Sequence, residues 1–167
     1  YDTTMEKTLD FFKDRLKNMM IDDGIRYDVV NSVINTGDVN ILKIYQKAKA
    51  IDSFVDEGDR ALEYFTRINN LTKGNNLTEV DEELLENDLE RSFYQEIVGL
   101  DQGALQNEED YIRELNTIAS TMATGNDYLD NTMINVDDER IKNNRIGMLN
   151  ILANRLNEVF DISEIVR

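Results

Sequence analysis

Residues 128–160 read YLDNTMINVDDERIKNNRIGMLNILANRLNEVF, and they carry the strongest structural signal in the chain. After an acidic break at Asn135-Val136-Asp137, apolar residues recur every three or four positions, which is the spacing of one buried helical face. They are Ile141, Met148, Leu149, Leu152, Leu156, Val159 and Phe160. The pattern predicts a short helix, a tight break, and a long last helix with Asp137 as its N-cap.

Arg145 is the one charged residue that falls within this apolar face. At about 100° per residue it projects between Ile141 and Leu149. An unpaired buried charge costs several kcal/mol, so Arg145 needs a partner or a ligand. We predict that Arg145 is buried and paired with a carboxylate. Asp130 is the first choice, because the break folds the short helix back toward the start of the long one; the alternative is that Arg145 recognises a ligand.

The composition of the 167 residues excludes several classes of chemistry. The chain has no cysteine, so disulfides and thiolate sites are absent, and no histidine, so Ser-His-Asp triads and histidine-based zinc sites are absent. No apolar run approaches the roughly 20 residues that span a membrane, and no signal peptide is evident. We expect a soluble, cytoplasmic protein without a membrane partner. Because it begins at Tyr1 rather than methionine, we interpret residues 1–167 as one domain from a longer polypeptide.

Every apolar pattern in the chain has helical spacing, and no region is typical of a strand. This predicts an all-α, antiparallel helical bundle of about seven to nine helices. We expect the first helix, roughly 4–21, and a later helix, roughly 108–123 and ended by Gly125, to bury one face each. The buried face of the first helix should comprise Met5, Leu9, Phe12, Leu16, Met19 and Met20.

The charge is strongly negative and unevenly distributed. The chain has 34 acidic and 18 basic residues, a formal net charge of −16. Residues 79–114, here called the acidic limb, hold 13 of the acidic residues and only two arginines, a net of −11. A phosphate backbone cannot lie along this limb without strong repulsion. Any nucleic acid should therefore bind elsewhere, on the first helix, the fourth helix and the start of the last helix.

Three phrases of the sequence resemble a known family. They are FFKDRL followed by RYDVV (residues 11–16 and 26–30), RINNLTK (67–73), and Asp130-Asn131-Thr132-Met133 followed by Asn144-Arg145-Ile146 and Met148-Leu149. Together they resemble the C-terminal anticodon-binding region of bacterial glycyl-tRNA synthetase beta subunits, a helical bundle similar to DALR domains. The resemblance is weak in the acidic limb, Lys142 stands where family members often have arginine, and the letters D-A-L-R do not occur.

This resemblance implies a function and partners. It implies an anticodon-region tRNA-binding module of an ATP-dependent ligase that attaches glycine to tRNA-Gly, together with an alpha subunit in a hetero-oligomer. ATP and the activation of glycine belong to the alpha subunit, so we expect no catalytic residue, cofactor or metal in this piece, and no DNA partner. The alternative is a helical scaffold or subunit-docking domain without RNA contact, which the negative charge favours.

RNA recognition requires basic groups for phosphates and amide groups for the edges of unstacked bases. Each candidate also has an ordinary structural interpretation, as a surface charge, a helix-terminal cation or a salt bridge. The candidate RNA-binding residues are Arg15, Arg26, Arg67, Asn69, Asn70, Lys73, Lys142, Asn144 and Arg145.

Overall fold

A computed structural model describes residues 2–166, which form eight α-helices and two short 3-10 helices with no β-strand among them. The predicted all-α bundle of seven to nine helices is therefore confirmed. The α-helices are α1 Asp2–Asp22, α2 Tyr27–Ile34, α3 Ile41–Glu57, α4 Asp59–Thr72, α5 Asp88–Val98, α6 Glu108–Ala119, α7 Met122–Asn131 and α8 Glu139–Val159. The 3-10 helices are Glu82–Leu84 and Ile162–Glu164.

The last helix, α8, is the centre of the bundle. It packs most extensively on α4 and also contacts α5 and α6. The residues of its predicted apolar face are buried, except Ile141, which is half-buried. Its 21 residues give it a length of about 30 Å, long enough to contact several shorter helices along one side.

Side-chain caps define where several helices begin. The side chains of Asn40, Asn87 and Asn107 each accept a hydrogen bond from the backbone amide three residues later. At α8 the capping residue is Asp138, which accepts from the amide of Arg140 at 3.0 Å. The prediction of Asp137 was therefore wrong by one residue. Asp138 is held there by a second hydrogen bond, from the Arg140 guanidinium, which also lowers the pKa of the Asp138 carboxyl.

The first helix differs from the prediction in what it buries. Leu16 is buried, but Leu9 and Phe12 are 45% and 57% exposed. Of the other predicted residues, Met20 is buried and Met5 and Met19 are exposed. The main neighbour of α1 is α2, which has only eight residues and is about 12 Å long. Most of the apolar side of the 21-residue α1 therefore extends beyond the helix that covers it.

The predicted helix over residues 108–123 was wrong at its C-terminal end. The helix α6 ends at Ala119, and α7 begins at Met122 and contains Gly125 in its interior. Gly125 is buried against the ring of Tyr64, and a Cβ at this position would overlap that side chain. The Tyr64 hydroxyl shares a 2.7 Å hydrogen bond with the hydroxyl of Thr121. Glycine at 125 therefore allows a close approach between α4 and α7 and does not end a helix.

The acidic limb forms the first 3-10 helix, α5 and the first part of α6, and it is packed into the bundle. The helix α5 lies against α7 and α8, while α6 lies against α3 and α8.

Within the described part of the chain, none of the helices combines the length and hydrophobicity needed to cross a membrane.

Candidate nucleic-acid interface

Arg145 is buried, with 6% of its surface exposed, and it is paired with carboxylates. Its Nε lies 3.0 Å from Oε2 of Glu90, and its Nη2 lies 3.0 Å from Oε2 of Glu86. Its Nη1 donates to the carbonyl of Met133 at 2.7 Å. Burial and pairing are confirmed, but the predicted partner, Asp130, was wrong. The acidic limb folds onto α8 and supplies both carboxylates.

Glu90 links Arg145 to the core of the bundle. It is fully buried, and its Oε2 also accepts a 2.6 Å hydrogen bond from the Tyr128 hydroxyl. Its Oε1 accepts from the backbone amide of Glu86 at 3.0 Å. Burial raises the pKa of Tyr128 well above its usual value, and the hydrogen bond to Glu90 raises it further. Because these groups satisfy one another, the Arg145 guanidinium has a structural role rather than an open position for RNA.

Asn144, the residue before Arg145, is also used inside the protein. Its buried side chain accepts from the amide of Asp81 at 2.6 Å and donates to the carbonyl of Asp81 at 3.1 Å. The groove around it is lined by Glu79, Glu82 and Glu83 as well as Asp81. The start of α8 therefore borders the acidic limb instead of lying apart from it. The amide of Asn144, a candidate for a base edge, is therefore occupied by Asp81, and this acidic groove does not suit the phosphate backbone of RNA.

Two of the candidate arginines are paired at the surface. Arg26 Nη2 lies 2.8 Å from Oδ2 of Asp28 and donates to the carbonyl of Val166 at 3.0 Å. Arg67 is half-buried, with its Nη2 3.0 Å from Oδ1 of Asp130. The pair of Arg67 is exposed, so this arginine can exchange Asp130 for another anion at small cost. The side chain of Asp28 is buried, so Arg26 cannot leave it without removing the cation from a buried carboxylate.

Two other basic candidates have no carboxylate partner. Arg15 is exposed on α1, with its guanidinium 5.7 Å from the centre of the Phe11 ring. Lys142 is half-buried in the second turn of α8 and forms no ion pair with any residue from 2 to 166. Arg15 and Lys142 lie on different helices, α1 and α8.

The structure brings Asn69 and Lys73 together in one cleft of about 450 Å³. Asn70, next to Asn69, is exposed. The cleft lies between the end of α4, the loop after it and the C-terminal half of α8. Seven of its thirteen lining residues are asparagines, so we call it the asparagine cleft. They are Asn35, Asn69, Asn75, Asn76, Asn150, Asn154 and Asn157.

One polar side of α8 connects this cleft to the groove lined by Glu79, Asp81, Glu82 and Glu83, which we call the acidic groove. Along it, Asn150 donates from Nδ2 to the carbonyls of Asn75 and Leu77, at 2.7 and 2.8 Å. At Gly147, an added Cβ would lie 2.5 Å from the backbone oxygen of Glu79. Together with Asn144, these residues hold residues 75–81 against α8.

The same side of α8 continues beyond Asn150 without a bound segment. Asn154 and Asn157 are exposed, and their side-chain amides form no hydrogen bond within residues 2–166. Neither residue is among the candidates predicted from the sequence. Their spacing from Asn150, by four and then three positions, was the signal that could have identified them.

A second cleft of about 720 Å³ shares Asn154 and Asn157 with the first and adds Lys43 and Lys47. Lys47 Nζ lies 3.2 Å from Oδ2 of Asp38. Burial acts to raise the pKa of Asp38, but the hydrogen bond from the Asn40 amide and the Lys47 ammonium outweigh it, so the pKa lies below its usual value.

Among the described residues, no three acidic side chains are grouped closely enough to hold a metal ion.

Known proteins with similar sequences cover nearly all of this chain. The glycine–tRNA ligase beta subunit of Syntrophomonas wolfei is 29% identical over 167 residues, or 98% of this chain. Those of Clostridioides difficile and Halothermothrix orenii are 30% and 31% identical over 97% and 93% of it. The chain is similar to glycine–tRNA ligase beta subunits. No family model matches the chain.

The similarity covers only part of each relative. The chain spans about a quarter of the length of the beta subunits that it matches, 24% in each of these three. The matched part is their C-terminal region. The predicted resemblance is confirmed at this level, while the relation to DALR domains stays a prediction.

Proposed function

We propose that this chain is the tRNA-binding C-terminal region of a glycine–tRNA ligase beta subunit and that it binds the anticodon region of tRNA-Gly. The observation that carries the proposal is similarity to such beta subunits at 29–31% identity over more than nine-tenths of the chain. In the whole enzyme, an alpha subunit binds ATP and activates glycine. The described part of this chain then contributes RNA contacts, with a DALR-like bundle as their support.

The basic residues without carboxylate partners are the best phosphate contacts. Lys73 is exposed at the rim of the asparagine cleft, and neither it nor Lys142 forms an ion pair within residues 2–166. Arg15 is exposed with its guanidinium over an aromatic ring, which leaves its N–H groups open to an anion. Arg67 can contribute by exchanging its exposed partner Asp130, and Arg26 only by leaving the buried Asp28 without its cation. Arg145 is excluded, because the buried carboxylate of Glu90 would be left unpaired.

The test uses the full-length beta subunit together with the alpha subunit. We expect Lys73→Glu to raise the KM for tRNA-Gly severalfold, because it replaces a phosphate contact by a repulsive charge. Glycine-dependent ATP–pyrophosphate exchange should be unchanged, because the activation of glycine does not involve tRNA. The matched control is Glu82→Lys in the acidic limb, which should leave both activities unchanged.

A scaffold or subunit-docking domain is the second candidate function. The net charge of −16 and the internal roles of Asn144 and Arg145 favour it. Under this function, Lys73→Glu and Lys142→Glu leave tRNA binding unchanged. Deletion of residues 2–166 would then disrupt the alpha–beta assembly, as measured by gel filtration, and the RNA-binding proposal would be wrong.

A further inference from the structure

The polar side of α8 recognises an extended segment through its asparagine amides. Asn144 both accepts from and donates to Asp81, and Asn150 donates to the carbonyls of Asn75 and Leu77 in the same segment. A carboxamide carries a donor and an acceptor side by side, so it can pair with any group that presents the complementary pair. This side of α8 is therefore built to bind such groups.

The bound segment leaves α8 before the helix ends. Followed back toward the N-terminus, the segment of residues 75–81 ends at Gly74, where the chain joins the end of α4. The backbone φ of Gly74 is +77°, which favours glycine. Asn154 and Asn157 therefore lie beyond the segment, and their amides face the asparagine cleft. Asn69 and Asn76 add two more side chains without hydrogen-bond partners among residues 2–166.

We propose that the asparagine cleft binds the hydrogen-bonding edge of one unstacked nucleobase, with Asn154 and Asn157 as the groups that contact the base. This inference rests on the proposed function, because RNA is the ligand that supplies an unstacked base. Asparagine pairs with base edges through the same donor–acceptor arrangement that Asn144 uses on Asp81. An apolar ligand would leave the amides unsatisfied, and a small anion would meet a single lysine, Lys73.

The charges around the cleft suit the nucleotide that carries such a base. Lys73 lines the asparagine cleft, and Lys43 lines the neighbouring cleft that shares Asn154 and Asn157. A base between the two asparagines would therefore have Lys73 on one side for a flanking phosphate. On the other side Lys43 can serve, although that cleft also contains Glu158 and the paired carboxylate of Asp38. The one carboxylate of the asparagine cleft, Asp161, already accepts from the amide and hydroxyl of Ser163, at 3.1 and 2.6 Å.

The position of the cleft separates it from the part of the acidic limb that surrounds Asn144. Asn157 lies thirteen residues after Asn144, or about 20 Å along the helix axis. In the described part of the chain, no aromatic side chain lines the asparagine cleft. Recognition there uses the edge of the base rather than stacking on its face, so it contributes selectivity for the base more than affinity.

The test uses the full-length alpha–beta enzyme with the double variant N154A/N157A. Both residues are exposed on a helix where alanine is favoured, so the variant should fold. The matched control is Asn143→Ala, an exposed asparagine of the same helix on the acidic groove. The substrates are tRNA-Gly and transcripts in which each unpaired anticodon-loop base is replaced in turn.

We expect the double variant to raise the KM for tRNA-Gly about tenfold, the effect of losing one good base contact, with pyrophosphate exchange unchanged. At one loop position the double variant should no longer distinguish the native from the replaced base, while Asn143→Ala still does.

Two results would overturn the inference and leave the proposed function in place. In the first, the double variant charges all transcripts like the wild type while Lys73→Glu still weakens tRNA binding. In the second, it loses alpha–beta assembly with unchanged tRNA affinity, so that the cleft holds a polypeptide. If Lys73→Glu and the double variant both bind tRNA normally, the proposed function is wrong as well.

Discussion

At the scale of the single residue, Arg145 holds two carboxylates of the acidic limb against α8. The buried guanidinium meets Glu90, whose side chain is fully buried, and Glu86, whose side chain is half exposed. We expect Arg145→Met to lower the free energy of unfolding by about 3–5 kcal/mol, because Glu90 would remain buried without its cation. Urea denaturation of residues 1–167 measures this change.

The matched control is Arg67→Met, which removes the exposed pair with Asp130. It should lower the free energy of unfolding by less than about 1 kcal/mol. An Arg145→Met variant with unchanged thermal stability but without tRNA binding would contradict the structural role and make Arg145 a recognition residue.

Tyr128 should make the stability of the bundle sensitive to alkaline pH. Its pKa is raised by burial and by Glu90, so the unfolded chain loses this proton at a lower pH than the folded chain. The contribution of the neutral phenol to stability is present below pH 10, the usual pKa, and is lost as the pH rises above it. We expect Tyr128→Phe to make the loss of stability above pH 10 less steep, as measured by urea denaturation at several pH values.

Tyr27 provides a control of opposite sign. A hydrogen bond from Asn31 and the nearby Lys17 ammonium lower the pKa of this exposed tyrosine. Tyr27→Phe should therefore not reduce the alkaline loss of stability. If Tyr128→Phe and Tyr27→Phe changed the pH profile in the same direction, the coupling of Tyr128 to Glu90 would be wrong.

At the scale of the element, α1 is amphipathic in sequence but only partly buried in the fold. Phe12 is 57% exposed, whereas Phe93 on α5 is fully buried with its ring 5.1 Å from that of Tyr128. We expect Phe12→Ala to change the free energy of unfolding by no more than about 0.5 kcal/mol. Phe93→Ala should cost about 3–5 kcal/mol, because it leaves a cavity. Thermal denaturation of the two variants compares them, and equal losses would show that the outer side of α1 is covered.

The segment of residues 75–81 depends on the absence of a side chain at Gly147 of α8. Alanine is favoured over glycine in a helix interior by about 1 kcal/mol, yet its Cβ would lie 2.5 Å from the Glu79 carbonyl. We expect Gly147→Ala to destabilise the chain by about 1–3 kcal/mol, because the backbone of the segment must shift. Asn143→Ala on the same helix should stay within about 0.5 kcal/mol of the wild type. An increase in the melting temperature of Gly147→Ala would contradict the close packing.

At the scale of the whole molecule, the net charge of −16 limits the RNA binding that we propose for this region. With 18 basic residues against 34 acidic ones, the region can make few phosphate contacts, so its part of the salt dependence should be shallow. We expect Lys73→Glu to reduce the slope of log K against log salt by about 0.7 for the full-length enzyme and tRNA-Gly, the value for one single-strand phosphate contact. Glu83→Lys in the acidic limb is the control and should not reduce it. An unchanged slope for Lys73→Glu would exclude Lys73 as a phosphate contact.

The sequence alone determined the all-α class, the long last helix and the burial of Arg145, because helical periodicity is a local property that residues three and four apart reveal. Only the tertiary structure decided that Glu90, and not Asp130, pairs with Arg145, since these residues are 55 positions apart and the packing of α5 on α8 brings them together. It also decided that Gly125 lies within a helix, because the ring of Tyr64 needs the space of its missing side chain. The asparagine cleft has the same origin. Its asparagines come from α4, α8 and the loops between helices, and a local pattern cannot show that such distant segments meet around one space.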